Sequence, residues 1–169
     1  MFRVLQLILM VGLACLLAGL YGMVHNQVSY SVGPDYFHAF KFIQFRISPE
    51  LAPRMGAAWV GWQASWWMGV VIGLPIALLS LAIPDGRAAW RAFAGIAVLV
   101  VVLTFALGML SLLADPPMEH IPLPRGTIDA IGFGRAAMLH DTSYLAGGFG
   151  LLVGLVLMGR KVRHARRSF

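Results

Sequence analysis

Residues 4 to 24 read VLQLILMVGLACLLAGLYGMV, an apolar run that contains no charged side chain. A helix needs roughly 17 to 25 predominantly apolar residues to cross the hydrocarbon core of a bilayer, and this run is long enough. Similar segments follow at residues 57–83, 90–114 and 143–159. The hydropathy pattern therefore predicts four membrane-spanning helices.

The composition supports the same class. Of the 169 residues, 59% are hydrophobic and 12% are charged, with a mean hydropathy of +0.79. Soluble domains carry about 25% charged residues, and disordered chains are poor in apolar residues, so both classes are excluded. We expect an all-α integral membrane protein, a bundle of four transmembrane helices that forms one membrane domain over residues 1–169 with the lipid bilayer around it.

Basic residues predict the orientation. Lysine and arginine accumulate on the cytoplasmic side of membrane proteins. The basic tail, residues 160–169, follows the fourth segment directly, so we expect both termini in the cytoplasm of a bacterial inner membrane and the loops 25–56 and 115–142 outside. The tail also carries much of the positive charge behind the net charge of +6, so this charge does not imply a nucleic acid partner. Its basic residues are Arg160, Lys161, Arg163, Arg166 and Arg167.

Small residues four positions apart predict where the helices touch, because close packing drives helix association in lipid. One row runs through the second segment, and Gly150 and Gly154 form another in the fourth. Pro75 removes a backbone donor within the second segment and predicts a bend there. The first row consists of Ser65, Gly69, Gly73 and Ala77.

Tryptophans cluster near the outer end of the second segment. Indole rings favour the headgroup layer, which makes an interfacial belt the leading interpretation. The alternative is an aromatic wall for a lipid or quinone, with Gln63 as its polar contact. The four residues are Trp59, Trp62, Trp66 and Trp67.

The first outer loop shows strand-like alternation. Polar and apolar residues alternate over residues 27–32 and 40–47, with Gly33-Pro34-Asp35 between them as a turn signal. This predicts a small extracytoplasmic cap between helices 1 and 2, a β-hairpin or a strand-turn-helix. An ordered cap favours a role in interaction or assembly, with a membrane-protein partner or a second copy of the chain.

The same region carries a resemblance. Residues 21–27 read YGMVHNQ and residues 35–37 read DYF. This resembles a group of bacterial inner-membrane proteins that carry Tyr-Gly-x-x-His-Asp-Gln followed by Glu-Tyr-Phe. The likeness reaches the Trp-rich start of the second segment, with Asn26 in place of aspartate and Asp35 in place of glutamate. The resemblance implies a four-helix membrane fold and no known activity, and Asn26 argues against an essential carboxylate there.

Histidines are the strongest chemical signal. His25 ends the first segment and His140 precedes the fourth, so the two meet if those helices are neighbours. Histidine beside carboxylate at a membrane surface holds a divalent metal or relays protons. His25 and His140 are therefore the first candidate metal ligands, and His120, Asp141 and Met118 are the secondary ones.

Three Met-x-His pairs limit which metal ion such a site would bind. Thioether with imidazole suits copper, and imidazole with carboxylate suits zinc, so copper or zinc is the expected cofactor of such a site. On a helix, residues two apart point to opposite faces, which leaves the Pro-flanked pair Met118 and His120 as the one expected to chelate. The other pairs are Met23 with His25 and Met138 with His140.

Other chemistries lack support. The span interiors contain no histidine for axial haem ligation and no charge for transport. No phosphate-binding glycine loop or nucleophile elbow is present, and the lone Cys15 excludes an intramolecular disulfide. The leading hypothesis is a non-enzymatic interaction or assembly protein; the alternatives are a metal or redox site at His25 and His140, and lipid or quinone binding.

Overall fold

The computed structural model describes residues 2 to 167. This part of the chain is helical and contains no strand. A helix pairs all its backbone polar groups within one segment, which is what a chain so poor in polar side chains requires in lipid. The long helices are α1 (Phe2–Val32), α2 (Pro53–Ser65), α3 (Met68–Ser80), α4 (Gly86–Leu110) and α5 (Ala130–Arg167).

Three helices, α1, α4 and α5, are each long and apolar enough to cross a membrane. Helices α2 and α3 pass the same test as a pair bent by 42°, which makes four spans if the pair is one crossing. At the bend the amides of Gly69 and Val70 bond to carbonyls three residues back, at 3.1 and 3.0 Å. This tight turn lies at Trp66 and Trp67 and not at Pro75, which sits within α3.

The two ends of the bundle differ. At one end Arg3 donates to the carbonyl of Ile83 at 3.2 Å, and Gln6 donates to that of Gly86 at 2.7 Å. These bonds hold the start of α1 against the turn between α3 and α4. Val162, near the end of α5, belongs to the same apolar cluster as Ile83. We call this the tail end, and the opposite end, where α1 finishes and α5 begins, the connector end.

Glycines set the closest helix crossings, as the small-residue rows predicted. A Cβ on Gly69 would overlap the backbone of Cys15 in α1, and a Cβ on Gly154 would overlap the side chain of Ile76 in α3. Contact without Cβ atoms lets the helices approach closely enough for dispersion to stabilise the bundle.

The connector, residues 33–52, differs from the predicted hairpin. It contains the helical turns Pro34–Tyr36, Phe37–Lys41 and Phe42–Gln44. Two isolated strands are marginal in stability, and here the aromatic residues bury against the ends of α1 and α5 instead of against a second strand. Arg46, with φ of 52°, ends this helical stretch.

Both connections at the connector end are shorter than the predicted loops 25–56 and 115–142. Helix α1 continues to Val32, and α5 begins at Ala130. A hydropathy window marks only the apolar part of a helix. The backbone hydrogen bonds of α1 and α5 continue beyond that part into more polar sequence. His25 and His140 therefore lie on helices and not in loops.

Candidate functional site

Two histidines from opposite ends of the sequence meet at the connector end. The ring centroids of His25 on α1 and His140 on α5 lie 4.7 Å apart, with the ring planes perpendicular. Both residues are buried, with exposed fractions of 3% and 8%. The sequence left open whether the two helices are neighbours, and here they are.

Asn26 joins the two rings. Its Oδ1 lies 3.2 Å from His25 Nδ1 and 3.1 Å from His140 Nε2. Its Nδ2 donates to the carbonyl of Ala57 in α2 at 2.9 Å. One buried amide thus links three helices, and sequence reasoning had treated Asn26 only as a departure from a motif.

Two serines and the carbonyls of Ala136 and Leu139 lie against the rings as well. Ser143 Oγ lies 3.1 Å from His25 Nε2. His140 Nδ1 lies 2.8 Å from the carbonyl of Ala136 and 3.4 Å from Ser29 Oγ. Sequence reasoning missed both serines, although Ser29 follows His25 by four positions and Ser143 follows His140 by three, spacings that share a helix face. We call His25, Asn26, Ser29, His140 and Ser143 the histidine cluster.

The connector covers this cluster. The Tyr36 ring lies 4.7 Å from the His140 ring, centroid to centroid, and Phe37 is fully buried beside it. Burial raises the pKa of the Tyr36 phenol well above its usual range, so this side chain stays neutral. Burial also lowers the pKa of Lys41, and the negative charge of Asp141 raises it by a smaller amount.

Asp35 ties the connector to the start of α5. Its Oδ2 accepts hydrogen bonds from the backbone amides of Ile128 and Asp129, both at 2.6 Å. The amides of Asp129 and Ile128 lower the pKa of the Asp35 carboxyl because they bond to its charged form. Asp129 in turn accepts from the Gly132 amide at 2.9 Å, which caps the first turn of α5.

A cavity of about 110 Å³ opens from the histidine cluster into the bundle. The lining residues run from Lys41 and His25 at one end to Ala14 and Phe93 deeper inside. The stretch of α1 from Ala14 to His25 rises about 16 Å at roughly 1.5 Å per residue. A volume of this size spread over that length makes a narrow channel, apolar along its walls and polar at its connector end.

Tyr21 places a polar atom on the cavity wall. Its hydroxyl is buried and, within the described residues, lies beside the Ser143 hydroxyl without a well-aligned hydrogen bond to it. The nearby Ser143 hydroxyl is bonded to His25 Nε2. Buried hydroxyls in folded proteins almost always have a partner, so this group marks a place where a ligand atom or water would bond.

The proposed metal set is only partly brought together. His120 is exposed and pairs with Glu119 at 3.3 Å, and Asp141 is exposed to solvent. The Met118 sulfur packs against Gly134 in α5. Within residues 2 to 167, no three His, Cys, Asp or Glu side chains are grouped to hold a metal ion. Metal binding at His25 and His140 stays a prediction.

The tryptophans lie away from the cavity. Trp59, Trp66 and Trp67 are about half exposed, as an interfacial belt requires, and Trp62 packs on Gly19. The lining contributed by α2 and the bend contains none of these rings and not Gln63. The opposite face of α2 borders the cavity, and the aromatic-wall alternative stays a prediction.

No protein-family model, curated protein or solved structure matches this chain. Function must therefore be inferred from the site itself.

Proposed function

We propose that this protein binds one membrane-soluble amphiphile, whose apolar chain lies in the cavity and whose oxygen-bearing head meets the histidine cluster. The setting of this proposal is a four-crossing protein of a bacterial inner membrane with both termini in the cytoplasm. The same proposal includes that the chain belongs to the group of bacterial inner-membrane proteins that its YGMVHNQ motif resembles. That resemblance implies no known activity.

The cavity carries the proposal. Binding sites for small molecules are concave and mostly apolar, with a few convergent polar groups that orient the ligand. Here the apolar walls come from all five long helices, and the polar groups gather toward one end. A molecule with a chain and a single head matches this distribution, whereas a compact polar substrate would leave its polar groups unpaired along the walls.

The buried Tyr21 hydroxyl supports an oxygen-bearing head. A phenol donates one hydrogen bond and accepts others, so a carbonyl, hydroxyl or acid oxygen placed beside it would satisfy it. A purely hydrocarbon ligand would leave the Tyr21 hydroxyl with no neighbour but the Ser143 hydroxyl, which already bonds to His25 Nε2.

The position of the connector favours a ligand over a docked protein. Its aromatic side chains pack on α5 and on His140 within the same chain, and Asp35 fastens it there. These residues serve to cover an internal site. The cluster also favours an organic head over a metal, since the ring nitrogens already face Asn26, Ser143 and Ala136.

A substitution that fills part of the cavity tests the proposal. Gly147 borders the cavity, and a Cβ there would meet only the flexible end of Ile72, at 3.4 Å, whereas a Cβ on the adjacent Gly148 would meet nothing. Protein purified in polymer-bounded native membrane discs is extracted, and the lipids are quantified by mass spectrometry. We expect one amphiphile enriched over the bulk membrane in the wild type and in Gly148→Leu, and lost in Gly147→Leu.

Two results would overturn the proposal. The first is a lipid extract of the wild type that matches the bulk membrane in every species. The second is an enriched species that Gly147→Leu retains in full while the variant is folded. A thermal unfolding measurement on both variants confirms folding, so that loss of ligand is not loss of structure.

A further inference from the structure

We infer that the amphiphile is an acid and that the histidine cluster takes up one proton with it, so that a protonated imidazole faces the anionic head. This inference rests on the proposed function and adds the chemical class of the head group. It follows from counting donors and acceptors around the two rings.

The orientation of Asn26 is the first step. The carbonyl of Ala57 accepts and cannot donate, so the atom that contacts it at 2.9 Å must be the amide nitrogen. The oxygen of Asn26 then faces the rings, where it is 3.2 Å from His25 Nδ1 and 3.1 Å from His140 Nε2. Both of these nitrogens must carry a proton for the contacts to be attractive.

His25 satisfies this condition as a neutral ring. With its proton on Nδ1, its Nε2 accepts from the Ser143 hydroxyl at 3.1 Å, and the Leu139 carbonyl beside the ring makes no well-aligned hydrogen bond to it. His140 does not satisfy it. Its Nδ1 lies 2.8 Å from the carbonyl of Ala136, which is again an acceptor, so both nitrogens of His140 face acceptors. Only the imidazolium form donates from both nitrogens.

A neutral pair leaves a repulsive contact in every arrangement. Removing the proton from Nε2 of His140 sets its lone pair against Asn26 Oδ1, and removing it from Nδ1 sets a lone pair against Ala136 O. Turning Asn26 over brings its oxygen to within 2.9 Å of the Ala57 carbonyl. The geometry of the cluster therefore accommodates one proton more than two neutral imidazoles hold.

A charge in this position needs an anion. Burial of an unpaired charge is costly, and a buried charged group needs an opposite charge beside it. No carboxylate of the described chain comes within 4.0 Å of the ring nitrogens of His25 or His140, or of Lys41 Nζ. Lys41 lines the same end of the cavity, and its ammonium donates to Gln44 Oε1 at 3.0 Å. The protein thus offers a positive charge at the head position and leaves the anion to the ligand.

The surrounding groups agree with this assignment. The other titratable or charged side chains facing the cluster are Tyr21 from α1, Tyr36 and Lys41 from the connector, and Asp141 and Tyr144 from α5. Asp141, the one acid among them, is exposed and acts from solvent. The cavity-lining residues of α2, α3 and α4 are uncharged. A carboxylate or similar acid on an apolar chain is the ligand class that completes the site.

The experiment compares palmitate with hexadecanol, two probes that share a chain and differ in the acid. Both are titrated against the protein in lipid nanodiscs at pH values where palmitate is ionised. We expect wild type to bind palmitate about tenfold or more tightly than hexadecanol, the worth of a charge-assisted hydrogen bond. Asn26→Asp places an internal anion beside the rings, so it should lose that preference. A thermal unfolding measurement on this variant checks that it is folded.

A pH series tests the proton uptake and does not depend on any variant. Palmitate affinity of the wild type should fall by up to about tenfold per pH unit as pH rises through the range in which the empty cluster is neutral, because one proton binds with the anion. Hexadecanol affinity should stay constant. Imidazole nitrogen resonances of the palmitate complex should show both nitrogens of His140 protonated.

The outcomes separate the two proposals. If hexadecanol binds as tightly as palmitate, or palmitate affinity is independent of pH, the acid and its proton are wrong while an amphiphile site remains. A neutral His140 in the palmitate complex has the same meaning. If neither probe binds and no amphiphile co-purifies, the proposed function itself fails.

Discussion

The backbones of Gly22 and Gly61 touch where α1 crosses α2. A Cβ on either glycine would overlap the carbonyl of the other, and Gly61 also faces the amide of Met23. This crossing brings α2 close enough for the Ala57 carbonyl to bond to Asn26. The helix contact and the histidine cluster are therefore parts of one arrangement.

Gly22→Ala should destabilise the fold, because the obstructing atoms belong to backbone and cannot move aside. We expect a loss of about 1–3 kcal/mol in unfolding free energy, as for other overpacked sites. Gly12→Ala, on the same helix with nothing within 4 Å of its added Cβ, is the matched control. It should be neutral or stabilising by up to about 1 kcal/mol. Equal effects of the two substitutions in denaturant unfolding would contradict the crossing.

Asn26→Leu should destabilise the protein through hydrogen bonds rather than volume. The substitution leaves the Ala57 carbonyl and the ring N–H groups without their partner in a buried site, and each unsatisfied group costs about 1–3 kcal/mol. Gln44→Leu, an exposed amide in the connector, should change stability by less than about 0.5 kcal/mol. Unfolding in denaturant compares the two variants, and a loss no larger for Asn26→Leu than for Gln44→Leu would show that the cluster contributes nothing.

The tether formed by Asp35 should weaken in acid. The amides of Asp129 and Ile128 lower its folded-state pKa below the ordinary 3.8. The stabilisation is therefore complete above 3.8 and is lost as pH falls through the lower folded-state value. Amide resonances of Ile128 and Asp129 followed during an acid titration should shift with a midpoint below 3.8.

Asp35→Asn is the control for that titration, since it removes the titrating group and keeps an acceptor oxygen. The two amides should then show no midpoint in this range. A midpoint at or above the ordinary value in the wild type would mean that the carboxylate does not bond to these amides.

Labelling should place the connector and the basic tail in different compartments. In a Cys15→Ala background, Glu50→Cys in the connector and Arg163→Cys in the tail both lie at exposed positions. A membrane-impermeant maleimide added to intact cells should modify the first and spare the second until the membrane is opened. Labelling of both in intact cells would put the connector and the tail in the same compartment. That result would contradict three crossings between them and therefore four in the chain.

Sequence alone predicted the all-helical architecture of this protein and the approximate positions of its apolar helices. Those properties follow from hydrophobicity summed over a window and from small residues at helical spacing, and both are local in the chain. The rows through Gly69 and Gly154 predicted packing faces correctly for that reason. Helix ends and the connector were harder to predict, because strand-like alternation in the connector arises from residues that pack on α5.

The tertiary structure alone decided what the histidines do. His25 and His140 were the strongest chemical signal in the sequence, yet their partners include Asn26, Ser143 and the carbonyl of Ala136, and Asn26 is itself held by the carbonyl of Ala57 in another helix. A backbone carbonyl has no signature in a sequence. Its position fixes which way Asn26 points, and so which ring nitrogens must carry protons, only after the Gly22 and Gly61 crossing has set the distance between two helices.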